Sequence, residues 1–384
     1  MMKEWERFAN DVKKFYGKDV VPLHEPTFNQ KEIEYVTNCI ETGWVSSVGE
    51  YVSNFEEDLA KFVGVKRAVA VVNGTAALHI ALKVAGVKAG DEVLMPSLTF
   101  IATANAVAYN RAIPHFVDVS YNTLGIDPKK LNHHLEQIGE FRNGELYNRQ
   151  TNRRISAVLP MHTFGHPVDI DGLLEVCEKY RLVMVEDAAE SLGSYYRGKH
   201  TGSYGKVSAF SFNGNKIITT GGGGAIVTNN DSLADYAKHL TTTAKIPHRW
   251  EYEHDEIGYN YRMPNLNAAL GCAQLEKLTD FIIQKRTLTI KYEQLIQKLP
   301  GVQLFKEPAF AKSNYWLQTL ILDNRYKRDD ILVFLNDYGV MSRPIWKPLH
   351  LLKMYNENPR GNLNVTEDLN NRIINIPSTP LIEV

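Results

Sequence analysis

Between about residue 65 and residue 230 the chain alternates short apolar runs with segments of helical period, and this alternation constrains its fold most. "AVAVVNG" (68–74) precedes "TAALHIALKVAG", "DEVLMPS" (91–97) precedes "TFIATANAVAYN", and "IPHFVDV" (113–119) precedes "DPKKLNHHLEQI". "SAVLPMHTFG" (156–165) leads into "DIDGLLEVCEKY", followed by "LVMVEDAAES" (182–191), "VSAFSFN" (207–213) and "GAIVTNN" (224–230). Strands that are apolar throughout, rather than alternating, are buried on both faces. Helical segments between them supply the crossovers that parallel strands require. The pattern predicts an α/β fold in which a mostly parallel seven-stranded sheet lies between helices.

Beyond this region, Leu266–Leu299 reads as one long helical stretch closed by Pro300-Gly301, since proline cannot continue a helix and glycine suits the turn after one. The remainder alternates "YWLQTLIL", "RDDILVFLNDYG" and "VMSRPIWKPLH", which suits a small α+β unit. The expected division is therefore residues 1–275, an N-terminal helix with a large domain, and 276–384, a connecting helix with a small C-terminal domain. The polar stretches Gly139–Arg154 and Ile246–Glu256 read as solvated loops. Near the N-terminus, Trp5, Phe8, Val12 and Phe15 recur at helical spacing, predicting an amphipathic helix docked on a partner surface.

Composition narrows the function classes. A net charge of -1 over 384 residues gives no basic footprint for nucleic acid or for an anionic membrane. No charge-free apolar run is long enough to span a bilayer, and "MMKEWERFANDVKKFYGKD" lacks the apolar centre of an export signal. Cys39, Cys177 and Cys272 are scattered, which argues against a disulfide framework and a structural zinc site. A cytoplasmic enzyme with no metal is the expectation.

In an open α/β sheet, ligands bind outside the carboxyl ends of the strands, and three polar groups fall there. In "VVNGTAAL" a strand gives way to a helix through Asn73-Gly74-Thr75, where free N–H groups and the helix dipole favour a phosphate. In "MVEDAAES" Asp187 ends a strongly apolar strand, a position where a carboxylate requires a cation or hydrogen bonds. In "SAFSFNGNKIITTGGGGAIVTNN" Lys216 and Ser211 lie between a strand and the glycines Gly221 to Gly224. Taken singly, these are ordinary: a helix cap, a second helix cap and a solvated lysine beside a flexible loop. In this chain order they suit pyridoxal 5′-phosphate (PLP), which needs a phosphate anchor, an acid for its ring nitrogen and a lysine.

The ordered set "NGTAALHIAL", "DEVLMPSLTFIATANAV", "VEDAAESLGS", "SAFSFNGNK…TTGGGGAIVT" and "GYNYRMPNLNAALGCAQLEKL" resembles the DegT/DnrJ-type PLP-dependent sugar aminotransferases, over nearly the whole chain. The resemblance implies the fold-type I aminotransferase architecture. It implies that Gly74, Thr75, Ala76 and Ser211 hold the phosphate, that Phe100 stacks on the ring and that Asp187 meets the ring nitrogen. Lys216 matches the Schiff-base lysine. Asn260 matches a residue given to the neighbouring subunit's phosphate site, implying a homodimer with shared active sites. Arg262 and His350 match substrate-side positions. The implied reaction is transfer of an amino group from glutamate to C4 of a nucleotide-linked 4-keto-6-deoxyhexose, for O-antigen or another surface glycan. Amination at C3, and a lyase or dehydratase on the same fold, are the alternatives. Two positions depart from the common pattern. Glu190 stands where many members have His or Gln near the ring oxygen, so it is expected to be protonated or aimed elsewhere. Gly222 stands where Glu is frequent.

Overall fold

A computed structural model describes residues 2–324 and 326–381. The alternation seen in the sequence folds into one seven-stranded sheet. Its strands in chain order are β1 (Arg67–Val71), β2 (Glu92–Pro96), β3 (Ile113–Val117), β4 (Ile155–Val158), β5 (Val183–Asp187), β6 (Val207–Ser211) and β7 (Gly224–Thr228). Their spatial order is β1-β7-β6-β5-β4-β2-β3. β3, β2, β4, β5 and β6 are mutually parallel, while β7 runs antiparallel between β6 and β1. Because β7 is reversed, β1 points the same way as the other five strands. Six carboxyl ends thus lie on one edge, and β7 starts there: Gly224 pairs with both Val71 and Ser211, the last residues of β1 and β6.

Burial on both faces explains the apolar strand sequences. Val69, Met95, Ala157, Val185, Ala209 and Ile226 pack into one cluster with the helix Gly74–Ala85, while Ala70, Phe210, Ala225 and Val227 belong to another on the opposite face. A second, four-stranded antiparallel sheet is built from Val302–Leu304, Gln318–Leu322, Ile373–Ile376 and Arg343–Pro344. Among the described residues no helix is long and apolar enough to cross a membrane.

Three local expectations need correction. The helix Met2–Tyr16 docks on its own chain rather than on a partner: Trp5, Phe8 and Val12 are buried with Tyr292, Leu320 and Leu335. Residues 139–148 form a hairpin, Gly139–Arg142 against Glu145–Asn148, not a loop. Asn143 and Gly144 turn it at φ of 52° and 84°, the pair of positive dihedrals that an Asn-Gly turn supplies. The long helical stretch is two helices, Asn265–Glu276 and Leu278–Ile296. They break at Lys277, whose ψ of −4° and N–H bond to the Gln274 carbonyl tighten the backbone out of the α-helical path.

Candidate active site

The edge with six carboxyl ends opens into a cleft of about 270 Å³. β1 brings Asn73, Gly74 and Thr75 to it, β5 brings Asp187 and Glu190, and β6 brings Ser211 and Lys216; Phe100 follows β2. Residues separated by well over a hundred positions thus meet because β1, β7, β6 and β5 are neighbours.

The phosphate turn is set by its cap. The Asn73 side chain accepts a hydrogen bond from the Ala76 amide at 2.8 Å. This modifies one expectation: the Ala76 N–H already has a partner, and the first-turn amides left without intrahelical acceptors are those of Gly74 and Thr75. The Ser211 hydroxyl stands over the same turn. A Cβ at Gly74 would lie 2.7 Å from the Ser211 Cβ and 3.0 Å from its Oγ, so only glycine fits between them. Of the four consecutive glycines, Gly224 is held against backbone, since a Cβ there would sit 2.5 Å from the Asn73 carbonyl carbon and oxygen, while one at Gly223 would sit 2.1 Å from Thr220 Oγ1. Gly222 is the open one, with nothing nearer than the Val72 carbonyl oxygen at 3.9 Å.

Asp187 is 2% exposed. Its Oδ2 accepts from the Thr103 hydroxyl at 2.8 Å and its Oδ1 from the Ala189 amide at 3.2 Å. Burial pushes its carboxyl above the usual range, and those two hydrogen bonds oppose the shift only in part. A buried carboxylate whose hydrogen bonds do not compensate its desolvation suits a cationic partner in the cleft. Directly behind it, Glu186 is also fully buried, but His162 and the amides of Gly202, Tyr204 and Gly205 surround it. Despite the penalty of burial, the His162 contact and these amides hold it below the usual range.

Lys216 lies on a tight turn, its N–H bonded to the Asn213 carbonyl. Its Nζ is 3.2 Å from Glu190 Oε1 and 4.0 Å from the centre of the Trp316 ring. Glu190 Oε2 accepts from the Phe164 amide at 2.9 Å. Phe164 has φ of 56°, a costly conformation for a residue with a side chain, and this turns its N–H toward the carboxylate. Burial raises the Glu190 pKa to about 7 even against the charge of Lys216, so near neutrality its two protonation states are comparably populated. Of the two expectations for Glu190, the geometry gives it a definite partner, the lysine.

The remaining predicted residues do not line the cleft. Arg262 forms a β-bridge with Val71, at the end of β1, and its buried Nε has no hydrogen-bond partner among the described residues. Asn260 is exposed, in a bridge with Thr242. His350 is buried: its Nδ1 is 2.7 Å from the Ser97 hydroxyl and its Nε2 3.3 Å from Glu367, which pins its segment to the turn after β2. Sequence reading missed Thr103, Met161, Trp316 and Trp346 in the cleft wall. Thr103 follows Phe100 by three positions, one helical turn, so it had a local signal. The two tryptophans come from the far end of the chain and had none.

These residues fit PLP. Two amides without intrahelical acceptors and a hydroxyl converge at a helix start, the buried Asp187 makes no ion pair among the described residues, and Lys216 lines the same cleft as the Phe100 ring, 49% exposed. Comparison with known proteins agrees. Residues 26–384 match the DegT/DnrJ/EryC1/StrS aminotransferase family. GDP-perosamine synthase of Escherichia coli O157:H7 is 39% identical over 360 residues, covering 94% of this chain and 93% of that protein. GDP-perosamine synthase of Vibrio cholerae is 36% identical over 364 residues, covering 94% of each. The crystal structure of the aminotransferase TlmJ from Streptoalloteichus hindustanus matches with a TM-score of 0.83 at 28% identity, over 93% of each chain. The chain belongs to the DegT/DnrJ/EryC1/StrS aminotransferase family, and its cofactor is pyridoxal phosphate.

Proposed function

We propose that this enzyme transfers the amino group of glutamate to C4 of a nucleotide-linked 4-keto-6-deoxyhexose, in the making of a bacterial surface glycan. The observation that carries the chemistry is the convergence of Lys216, Glu190 and Asp187 on one cleft beside the Gly74-Thr75 turn. The sugar is argued from the two relatives named GDP-perosamine synthases, which favour a GDP-linked substrate.

When bound, PLP supplies an electron sink for the carbanion formed at the amine-bearing carbon. The chain's own residues do the rest. Gly74, Thr75 and Ser211 would hold its phosphate, and the Phe100 ring, exposed at the cleft, would pack against the cofactor. Asp187, kept dry, holds a proton on the ring nitrogen through its charge. Lys216 bonds the cofactor between reactions and, as a free amine, moves a proton at the substrate carbon. Glu190, 3.2 Å from the Lys216 Nζ, exchanges a proton with it. Arg262, beside the end of β1, acts on the substrate side of the cleft, and His350 acts there by fixing the Trp346 segment. Asn260 reaches the partner's phosphate in a cytoplasmic homodimer. Residues 1–275 form the N-terminal helix and the large cofactor-binding domain, and 276–384 the connecting helix and the small C-terminal domain, which adds Trp316 and Trp346 to the cleft wall.

The test is turnover of glutamate with GDP-, dTDP- and UDP-linked 4-keto-6-deoxyhexoses, the nitrogen of the product being located by NMR. Amine at C4 with formation of 2-oxoglutarate is expected. Amination at C3 alone, or a dehydrated sugar without nitrogen, would refute the assignment.

A further inference from the structure

Lys216 has a second wall besides Glu190, and this wall is built rather than incidental. The Trp316 indole, 3% exposed, turns its face to the Lys216 Nζ at 4.0 Å from the ring centre. Its Nε1–H donates to the carbonyl of Asn215 at 2.7 Å, so the ring edge is tied to the turn that carries the lysine. Its backbone N–H donates to Asn314 Oδ1 at 2.8 Å, and Asn314 Nδ2 donates to the carbonyl of Glu190 at 2.9 Å. One buried asparagine therefore fixes both walls against each other. A Cβ at Gly165 would lie 1.8 Å from Asn314 Oδ1, so that side chain has no room to move. Phe164 packs near the indole, at 6.4 Å between ring centres.

We propose that the Trp316 face and the Glu190 carboxylate form a cradle for the Lys216 ammonium whenever the lysine is not bonded to the cofactor, with Trp316 as a positioning residue. An ammonium between a carboxylate and an indole face gains from both the charge and the ring quadrupole, more so where water is scarce, and the Lys216 side chain is 13% exposed. The charged and titratable groups that act on this site are Glu190, Asp187 and His24. Of these, Glu190 makes the ion pair. The cradle keeps the freed amine at one place instead of letting a four-carbon chain wander through the cleft. The inference rests on the reading of Lys216 as the cofactor-bonding lysine.

Full-length enzyme loaded with pyridoxamine 5′-phosphate, in which no lysine is bonded to the cofactor, allows a readout independent of turnover. Cyanate carbamylates the neutral amine, and peptide mass spectrometry gives the rate at Lys216 relative to Lys347, an exposed lysine near the cleft-lining Trp346. Trp316→Leu is expected to raise that ratio about 3- to 30-fold, the range of a partly desolvated cation–π contact. Trp316→Phe, which keeps a ring, is expected to fall between Trp316→Leu and wild type, and Glu190→Gln to raise the ratio from the other wall. An unchanged ratio in Trp316→Leu overturns the proposal. If that variant unfolds, all lysines accelerate together, and Trp316→Phe decides by the same ratio, an unchanged value again being fatal. Borohydride reduction of the PLP-loaded wild type separates the two readings. Pyridoxyl fixed on another lysine removes the role of Lys216 itself, whereas pyridoxyl on Lys216 with an unchanged carbamylation ratio removes only the cradle.

Discussion

Glu190→Gln isolates the energetic consequence of burying a carboxyl beside Lys216. In the folded protein burial raises the Glu190 pKa to about 7, while an unfolded chain holds an ordinary glutamate near 4.5. Below both values the two states are equally protonated and the group contributes no pH dependence. As pH rises from the lower value to the upper, the unfolded chain releases its proton first, so stability falls. The loss is complete above the folded pKa. Linkage puts it at about 2.5 kcal/mol between about pH 5 and about pH 8, and at about 3 kcal/mol over the whole range. For a chain of 384 residues that corresponds to about 3 °C in melting temperature. The assay is thermal melting of cofactor-free wild type and Glu190→Gln at both pH values. The variant, which cannot titrate, is expected to gain on the wild type by that amount on going from the lower pH to the higher. If the difference between the two proteins is the same at both pH values, Glu190 does not carry a raised pKa and its proton exchange with Lys216 fails with it.

Other perturbations probe different parts of the site and fold. Asp187→Asn removes a buried carboxyl that burial pushes upward, so melting should show the cofactor-free variant more stable at neutral pH, while steady-state kinetics shows turnover lower by about a hundredfold or more. Wild-type turnover in Asp187→Asn would exclude Asp187 as the ring-nitrogen partner. Gly224→Ala drives a methyl group into the Asn73 carbonyl and should cost about 3 kcal/mol and weaken PLP binding, read by equilibrium dialysis. A Cβ at Gly222 meets only an ordinary contact with the Val72 carbonyl, so Gly222→Glu should stay within about 0.5 kcal/mol of wild type; a large loss there would mean the glycine run is tighter than its backbone shows. Trp5→Ala empties a fully buried site between the N-terminal helix and the small sheet. Denaturation should register about 3–5 kcal/mol, with an unaltered melt showing that the helix does not dock there.

The chemistry of the cleft was legible because each of its main residues lies at or just past the end of a strand that the hydrophobic pattern marks. Asp187, Ser211, Lys216 and the Gly74-Thr75 turn are local features: a polar residue at the end of an apolar run, a lysine before glycines, an asparagine before a helix. The Asn-Gly hairpin at 143–144 was equally local and was overlooked within a polar stretch. What could not be read locally was adjacency. The antiparallel insertion of β7 between β1 and β6 puts Gly224 against Asn73 and gives each glycine its separate tolerance. Trp316 reaches Lys216 from a hundred residues away, from the segment entering the small sheet, and no period or spacing announces it. His350, expected on the substrate side, is buried against Ser97 because the chain folds back over the turn after β2.

By itself the sequence determined the strands, the helices between them and the order in which polar groups fall at the strand ends, since these follow from side-chain periodicity and turn chemistry within a few residues. Only the tertiary structure decided which strand ends are neighbours, how dry each carboxyl is and which aromatic face meets the lysine. Those depend on burial and on contacts between distant segments; Glu186 and Glu190 are both buried, and it is the His162 contact and backbone amides around Glu186 that hold it low while Glu190, four residues later, is raised to about 7.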